Sequence, residues 1–303
     1  MTTYKEIRGT NIEAVASDPS NPIEGQVWYN TTTNAVKGFG RSAVSAWSTA
    51  NSSNSFHRNS GAAGTQTAAL TFGGRPSPGP GAATESYNGT NWTEVNDLNQ
   101  ARHYFAGAGT QTAALGFGGY NGGTLYALTE TWNGTNWTEV NDMNTARGRV
   151  SGTGATNTAA LAIGGYPAPL TALVETWNGT NWTAVNNLGT ARYSGAASGT
   201  NTAALMIGGT IAGSGITAVT ELWNGTNWTE VNDLNTARKY LAGCGTQTAA
   251  IVFGSGGPPK AITELWNGTN WTETSDMLNG REGMAGAGTN TAALGIGGES
   301  PQT

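Results

Sequence analysis

One cysteine and two histidines are all that 303 residues supply of the softer ligating and nucleophilic side chains. Cys244 has no second cysteine to join, so an intramolecular disulfide is excluded, and a metal centre would find few imidazole or thiolate donors. Charge is scarce as well. Charged residues make up 11% of the chain, 14 basic against 19 acidic for a net charge of −5, which excludes the broad basic surface that nucleic acid requires. No apolar run reaches the length of a membrane span or of a signal-peptide core, including the opening MTTYKEIRGTNIEAV. The expectation is therefore a chain folded in a cytoplasm without membrane insertion, a state that also fits assembly into a virus particle.

What is abundant is glycine, 46 residues, together with 11 tryptophans. Glycine-rich, polar sequence without aromatics would be disordered. Here the tryptophans return at fixed intervals, and the chain aligns on itself. The unit runs R-x-x-x-A-G-A-G-T-Q-T-A-A-L-x-F-G-G, then a variable loop, then T-E-x-W-N-G-T-N-W-T-E-V-N-D-L-N-x-A. Its opening arginines are Arg58, Arg102, Arg147, Arg192, Arg238 and Arg281, spaced 43 to 46 residues apart. That period suits four short strands and their turns.

Ala113, Leu115 and Phe117 alternate with Ala114 and Gly116, the period-two signature of a strand. The small AGAGT residues suit an inner strand crowded near an axis. T-E-T-W and N-W-T-E-V, joined by N-G-T-N, predict a hairpin, because Asn and Gly tolerate positive φ. Trp92, Trp137, Trp182, Trp228 and Trp271 open the last strand, each ten residues before the next arginine, and Trp47 stands eleven before Arg58. Each unit is too small to bury its apolar surface alone, so these aromatics are expected to pack against neighbouring units.

Only five copies of the aromatic hairpin follow six arginine-to-diglycine halves. The fold class expected is therefore all-β, a six-bladed propeller in which strands near 26–30 and 45–49 complete the last blade with strands near 283–297. The expected division is an extended arm at 1–24, the propeller at 25–298 and a tail at 299–303. Fully extended, such an arm would reach about 80 Å.

The diglycines Gly73-Gly74, Gly118-Gly119, Gly164-Gly165, Gly208-Gly209 and Gly297-Gly298, the aromatic ahead of a turn and the last-strand Trp resemble the kelch repeat over roughly residues 25 to 298. The fifth unit departs with Gly254-Ser255. The resemblance implies a propeller, a fold shared with copper oxidases of the galactose oxidase type, whose Cys, Tyr and His ligands this sequence does not match. His57 and His103 flank the opening arginine, and Cys244 holds a position filled elsewhere by Ala63, Ala108, Thr153, Ser198 and Ala287. No metal, cofactor or catalytic residue is expected.

The recurrent Glu85, Glu130, Glu175, Glu221 and Glu264 are expected to pair with the arginines between blades, since catalysis needs an asymmetric constellation rather than six equal copies. Asn133 and Asn136 lie in glycosylation-like strings that serve as turns. Asn96-Asp97, Asn141-Asp142 and Asn232-Asp233 lack the spacing of a calcium cage. The second-to-third loops vary around a constant scaffold, the pattern of a binding surface. Tyr120, Tyr126, Tyr166 and Lys260 are the residues there best able to make contacts, while the uniform Asn/Thr face offers a second surface.

The run SDPSNP-x-x-G-Q-V-W-Y-N-T-T-T-N-x-x-K-G at 17–38 and the WNGTNWTEVNDLNTAR repeat resemble structural proteins of tailed phages, marine ones especially. The resemblance implies a non-enzymatic virion component: a tail fibre, spike or capsid decoration that docks on other virion proteins through its arm. Its propeller would meet a host-surface glycan or protein, and self-association within the particle is compatible with that role. The alternatives are a bacterial kelch-type binding module and, as a third class, a glycan-acting propeller enzyme.

Overall fold

The computed structural model describes residues 13–19, 27–38, 46–76, 79–166, 170–256, 258 and 260–300. The chain divides into two compact units, Met1–Ser45 and Ala46–Thr303.

In the first unit Val27–Asn30 pairs in parallel with Glu13–Val15 on one edge and antiparallel with Ala35–Gly38 on the other. Asp18 gathers this sheet. Its carboxylate accepts hydrogen bonds from Lys37 Nζ at 2.7 Å, Trp28 Nε1 at 3.0 Å and Asn30 Nδ2 at 2.7 Å. Those bonds, in that order of weight, hold its carboxyl down at about 2.

This corrects two expectations. Both edges of Val27–Asn30 are taken, so it is not a strand of the last blade, and Glu13–Val15 is a paired strand rather than part of an extended arm. The boundary falls after Ser45 instead of at 24/25. The physical reason is local closure: a four-residue turn capped by Asn30 Oδ1, which accepts from the Thr32 and Thr33 amides, costs far less chain entropy than pairing with strands more than 250 residues away. Residue 26, the arm residues 1–12 and 20–24, and residue 45 lie outside the described residues.

The second unit is built of antiparallel meanders. Five are four-stranded, the first being Gly61–Gly64, Ala69–Gly74, Gly81–Tyr87 and Trp92–Val95. The same order recurs from Ala106, Ser151, Ala196 and Ala242, and Ala285–Gly288 with Ala293–Ile296 forms a two-stranded sixth sheet. The predicted hairpin is present in each complete sheet. In the second, for example, Asn133 Oδ1 accepts from the Thr135 and Asn136 amides and Gly134 takes φ +92°.

The innermost strands lie side by side in succession, and Ala285–Gly288 also lies beside Gly61–Gly64. Two sets of backbone hydrogen bonds follow the same succession of sheets, with opposite directions of donation. Gly74, Gly119, Gly165, Gly209 and Ser255 each donate to the carbonyl of the next unit's opening arginine, and Gly298 donates to His57 O at 2.7 Å. Nearer the middle, Tyr104 donates to Asn59, Arg149 to Tyr104, Ser194 to Arg149, Tyr240 to Ser194, Gly283 to Tyr240, and Asn59 to Gly283.

Tryptophans join neighbouring sheets. Trp137, Trp182 and Trp271 bury their rings, and their Nε1 atoms donate to Thr84, Thr129 and Thr220 of the preceding sheet at 3.0–3.2 Å. Phe72 stacks on Trp137 and Phe117 on Trp182, with centroids 4.7 and 4.9 Å apart. Trp47 does the same, donating to Thr263 Oγ1 at 3.1 Å and packing on Phe253. The expected last-strand tryptophan of the sixth sheet is therefore in place, although residues 46–50 are not a strand. Trp92 is half-buried and donates to Asn51 O. Trp228 Nε1 is buried without a partner, because Val174 stands where the other sheets carry threonine.

The repeated ion pairs lie within sheets rather than between them. Arg102 Nη1 meets Glu130 at 2.5 Å, Arg147 Nη2 meets Glu175 at 2.9 Å and Arg238 Nη2 meets Glu264 at 2.7 Å, and Arg192 pairs with Glu221. All four guanidinium groups are fully buried. Desolvation pulls their pKa values down and the paired glutamates push them back up. The expected interblade link is made instead by the arginine carbonyl, as described above.

Arg58 is not the first member of this set. His57 is: its Nε2 lies 3.1 Å from Glu85 and its Nδ1 2.9 Å from Gly73 O. Counting ten residues from Trp47 also arrives at His57. Arg58 instead pairs with Glu282 at 3.1 Å and with Glu299, so Glu299 belongs to the folded unit and not to a free tail. Arg281 donates to Gly297 O at 3.0 Å and, among the described residues, has no carboxylate partner, since the sixth sheet has no third strand to carry the glutamate.

Candidate functional site

The residue two places after each fixed arginine, or after His57, belongs to the closed cycle of backbone hydrogen bonds. Asn59, Tyr104, Arg149, Ser194 and Tyr240 all take φ between +53° and +56°, and Gly283 takes +65°. A left-handed backbone suits glycine and costs a bulky residue about 1–2 kcal/mol. The hydrogen-bond cycle through these residues imposes it regardless. Strain repeated at equivalent places, borne by two tyrosines and an arginine, points to a role for their side chains.

Two of this set, Tyr104 and Arg149, line a cavity of about 640 Å³ whose wall also includes Arg75, His103, Tyr120 and Tyr166. The Arg149 guanidinium carbon lies 4.7 Å from the Tyr104 ring centroid, 5.3 Å from Tyr193, 5.8 Å from Tyr240 and 5.9 Å from Tyr166. His103 packs against Tyr104 and Tyr120, with centroids 4.7 and 5.4 Å apart. Burial, and then the charges of Arg75, Arg149 and Arg58, hold the His103 imidazole down at about 4, so it is neutral at pH 7.

Of the loop residues predicted to bind, Tyr120 and Tyr166 line this cavity. Tyr126 and Lys260 do not. Tyr126 is absent from the wall although its neighbour Leu125 belongs to it, and its backbone bonds to Gly119 and Arg147. Lys260 opens the strand Lys260–Trp266, where it pairs with Ser255. Sequence reasoning missed Arg75, Tyr104 and Arg149 of the wall and the Tyr193 and Tyr240 rings near Arg149. For all but Arg75, which opens a variable loop, a signal was available in the x-x-x positions that vary after each constant arginine.

The uniform face is engaged in holding the fold. Asn96, Asn141, Asn186 and Asn232 each donate through Nδ2 to Asn136, Asn181, Asn227 and Asn270 of the next sheet's turn at 2.7–2.9 Å. Asp97, Asp142, Asp233 and Asp276 accept from the backbone amides of Thr84, Thr129, Thr220 and Thr263. Glycines and alanines of the innermost strands line a second opening of about 350 Å³, which includes Cys244. The Cys244 thiol is buried, donates to Thr289 O at 3.5 Å and is pushed up by burial to about 12, well away from the reactive thiolate range.

No family model and no curated protein matches the sequence. Among solved structures 318 chains match, so the architecture alone does not single out a function. One of these, described as the structure of YjhT, superposes with a TM-score of 0.71 at 12% identity, covering 84% of this chain and 94% of that one. At that identity the likeness shows the fold alone, and the chain is an all-β protein of β-propeller type.

Proposed function

We propose that the chain is a non-catalytic binding protein of a virus particle: a six-bladed, kelch-like propeller in which a cup beside the variable loops meets a host-surface glycan or a neighbouring virion protein. The carrying observation is where free polar groups are found. The repeated Arg–Glu pairs and the Asn and Asp latches are consumed inside the fold, whereas Arg75, Arg149, His103 and the tyrosines converge on one open cavity beside the variable loops. Closure of six units is supported by the bonds from Gly298 to His57 and from Asn59 to Gly283. The virion role rests on the resemblance of the repeat and of residues 17–38 to phage structural proteins. Docking to other virion proteins falls to the Met1–Ser45 unit, whose Val27 and Val36 are exposed.

The test has two arms. Electron microscopy of intact particles with a label on this chain is expected to place it on the particle surface, and a glycan array probed with the purified chain is expected to give binding without turnover. A chain absent from particles, or sugar conversion abolished by Tyr166→Phe, would refute the respective half of the reading.

A further inference from the structure

Every other arginine of the second unit that is at least half-buried has an anion or a carbonyl beside it. Arg149 does not. Half-buried and ringed by Tyr104, Tyr166, Tyr193 and Tyr240, its guanidinium makes no hydrogen bond or ion pair among the described residues. Aromatic faces attract the cation, yet they leave its five N–H donors unused. Planar donors held in a fixed position suit a carboxylate, which a guanidinium grips through two parallel bonds.

Three further features narrow the ligand. Arg75 adds a second cation to the cavity wall, and the nearby Glu282 and Glu299 are both held by Arg58. The local charge is therefore positive in a chain of net charge −5, which repels cationic ligands. His103 lines the same cavity, is 4% exposed, and its Nδ1 has no hydrogen-bond partner. A buried polar atom left unmatched is costly unless something arrives to bond it. Finally, about 640 Å³ walled by Tyr104, Tyr120 and Tyr166 is far more room than a bare inorganic anion fills and lies in the range of small-molecule sites. Flat aromatic walls with hydroxyl tips fit a ring with apolar faces and polar edges.

Building on the reading of this chain as a binding protein, we propose that this cup beside Arg149 is a site for an acidic sugar. Arg149 holds the carboxylate, Arg75 adds charge at the rim, His103 bonds a ring hydroxyl and the tyrosines cover the sugar faces. The carboxylate separates this ligand from neutral sugars, and the ring separates it from simple anions.

Isothermal titration of the full chain with D-glucuronate, D-glucose, acetate and inorganic phosphate tests this. Glucuronate is expected to bind at least about tenfold more tightly than the other three, a charge-assisted contact being the difference. Arg149→Gln is expected to bring glucuronate down to the level of glucose with an unchanged melting temperature, and Tyr166→Ala to weaken both sugars. Equal affinity for glucuronate and glucose, or glucuronate binding that survives Arg149→Gln, overturns the proposal. Binding of acetate or phosphate as tight as glucuronate overturns the sugar assignment. Glycan-array binding untouched by Arg149→Gln overturns the cup while leaving the binding-protein reading intact, and a blank array together with no glucuronate binding overturns both.

Discussion

Arg147 and Arg149 stand two residues apart on one link between sheets, yet they live in opposite worlds. Arg147 is fully buried, recurs in four of the five complete repeats, with His57 in its place in the first, and bonds to Glu175, Gly164 O and Leu173 O. Arg149 occurs once, sits half-exposed on a left-handed backbone, and faces tyrosine rings with its donors free. The difference teaches how to read repeats. A charge copied into each unit is bound up in building it, while a charge at the same link that appears in only one unit is available for a partner.

The sharpest way to break this comparison is to remove each arginine. Arg147→Met is expected to destabilise the fold by about 3–5 kcal/mol, because Glu175 is left buried without its cation, as read by chemical denaturation. Arg149→Gly is expected to change stability by no more than about 1 kcal/mol, since glycine accepts the positive φ at little cost, while glucuronate binding is lost. Equal destabilisation by the two variants would erase the distinction.

Trp137→Ala probes the same structural class through packing. Its buried ring spans two sheets, and a loss of about 3–5 kcal/mol is expected. A melting shift no larger than that of the exposed-surface control Thr135→Ala would contradict that role.

The pH dependence sharpens the other side. His103 has its folded pKa depressed from 6.5 to about 4, so the unfolded chain binds more protons between those values and stability falls as pH drops through that window. His103→Gln is expected to flatten that part of a stability–pH curve. An identical slope in the variant would show that His103 is not held neutral.

The smallest effect is a gain. Val174→Thr gives the orphaned Trp228 Nε1 the hydroxyl acceptor that Thr84, Thr129 and Thr220 supply elsewhere, and should add about 1 kcal/mol. A neutral or negative change would mean that the lost methyl packing outweighs the bond.

Much of the unit was legible in the sequence. Asn-Gly between aromatic runs specified the hairpins, alternation specified Ala113–Phe117, and recurrence marked the Arg–Glu and Trp positions. The first repeat slipped by one residue because Arg58 imitates the repeated letter; the ten-residue interval from Trp47 marks His57. The partners of the two-stranded last sheet were misread because Trp28-Tyr29-Asn30 imitates the repeated hairpin while pairing locally with Glu13–Val15 and Ala35–Gly38. The cup was half legible. Tyr120 and Tyr166 fall in loops that vary openly, whereas Arg149 and Tyr240 hide in short links.

The sequence by itself determined the strands, the turns and the order in which sheets follow one another, because those depend on φ/ψ tolerance and on apolar period over a few residues. Only the tertiary structure decided that Tyr104, Tyr193 and Tyr240, drawn from positions spanning more than 130 residues, gather their rings around the one guanidinium of Arg149. That convergence comes from laying the innermost strands side by side, which turns equivalent places in separate units into neighbours.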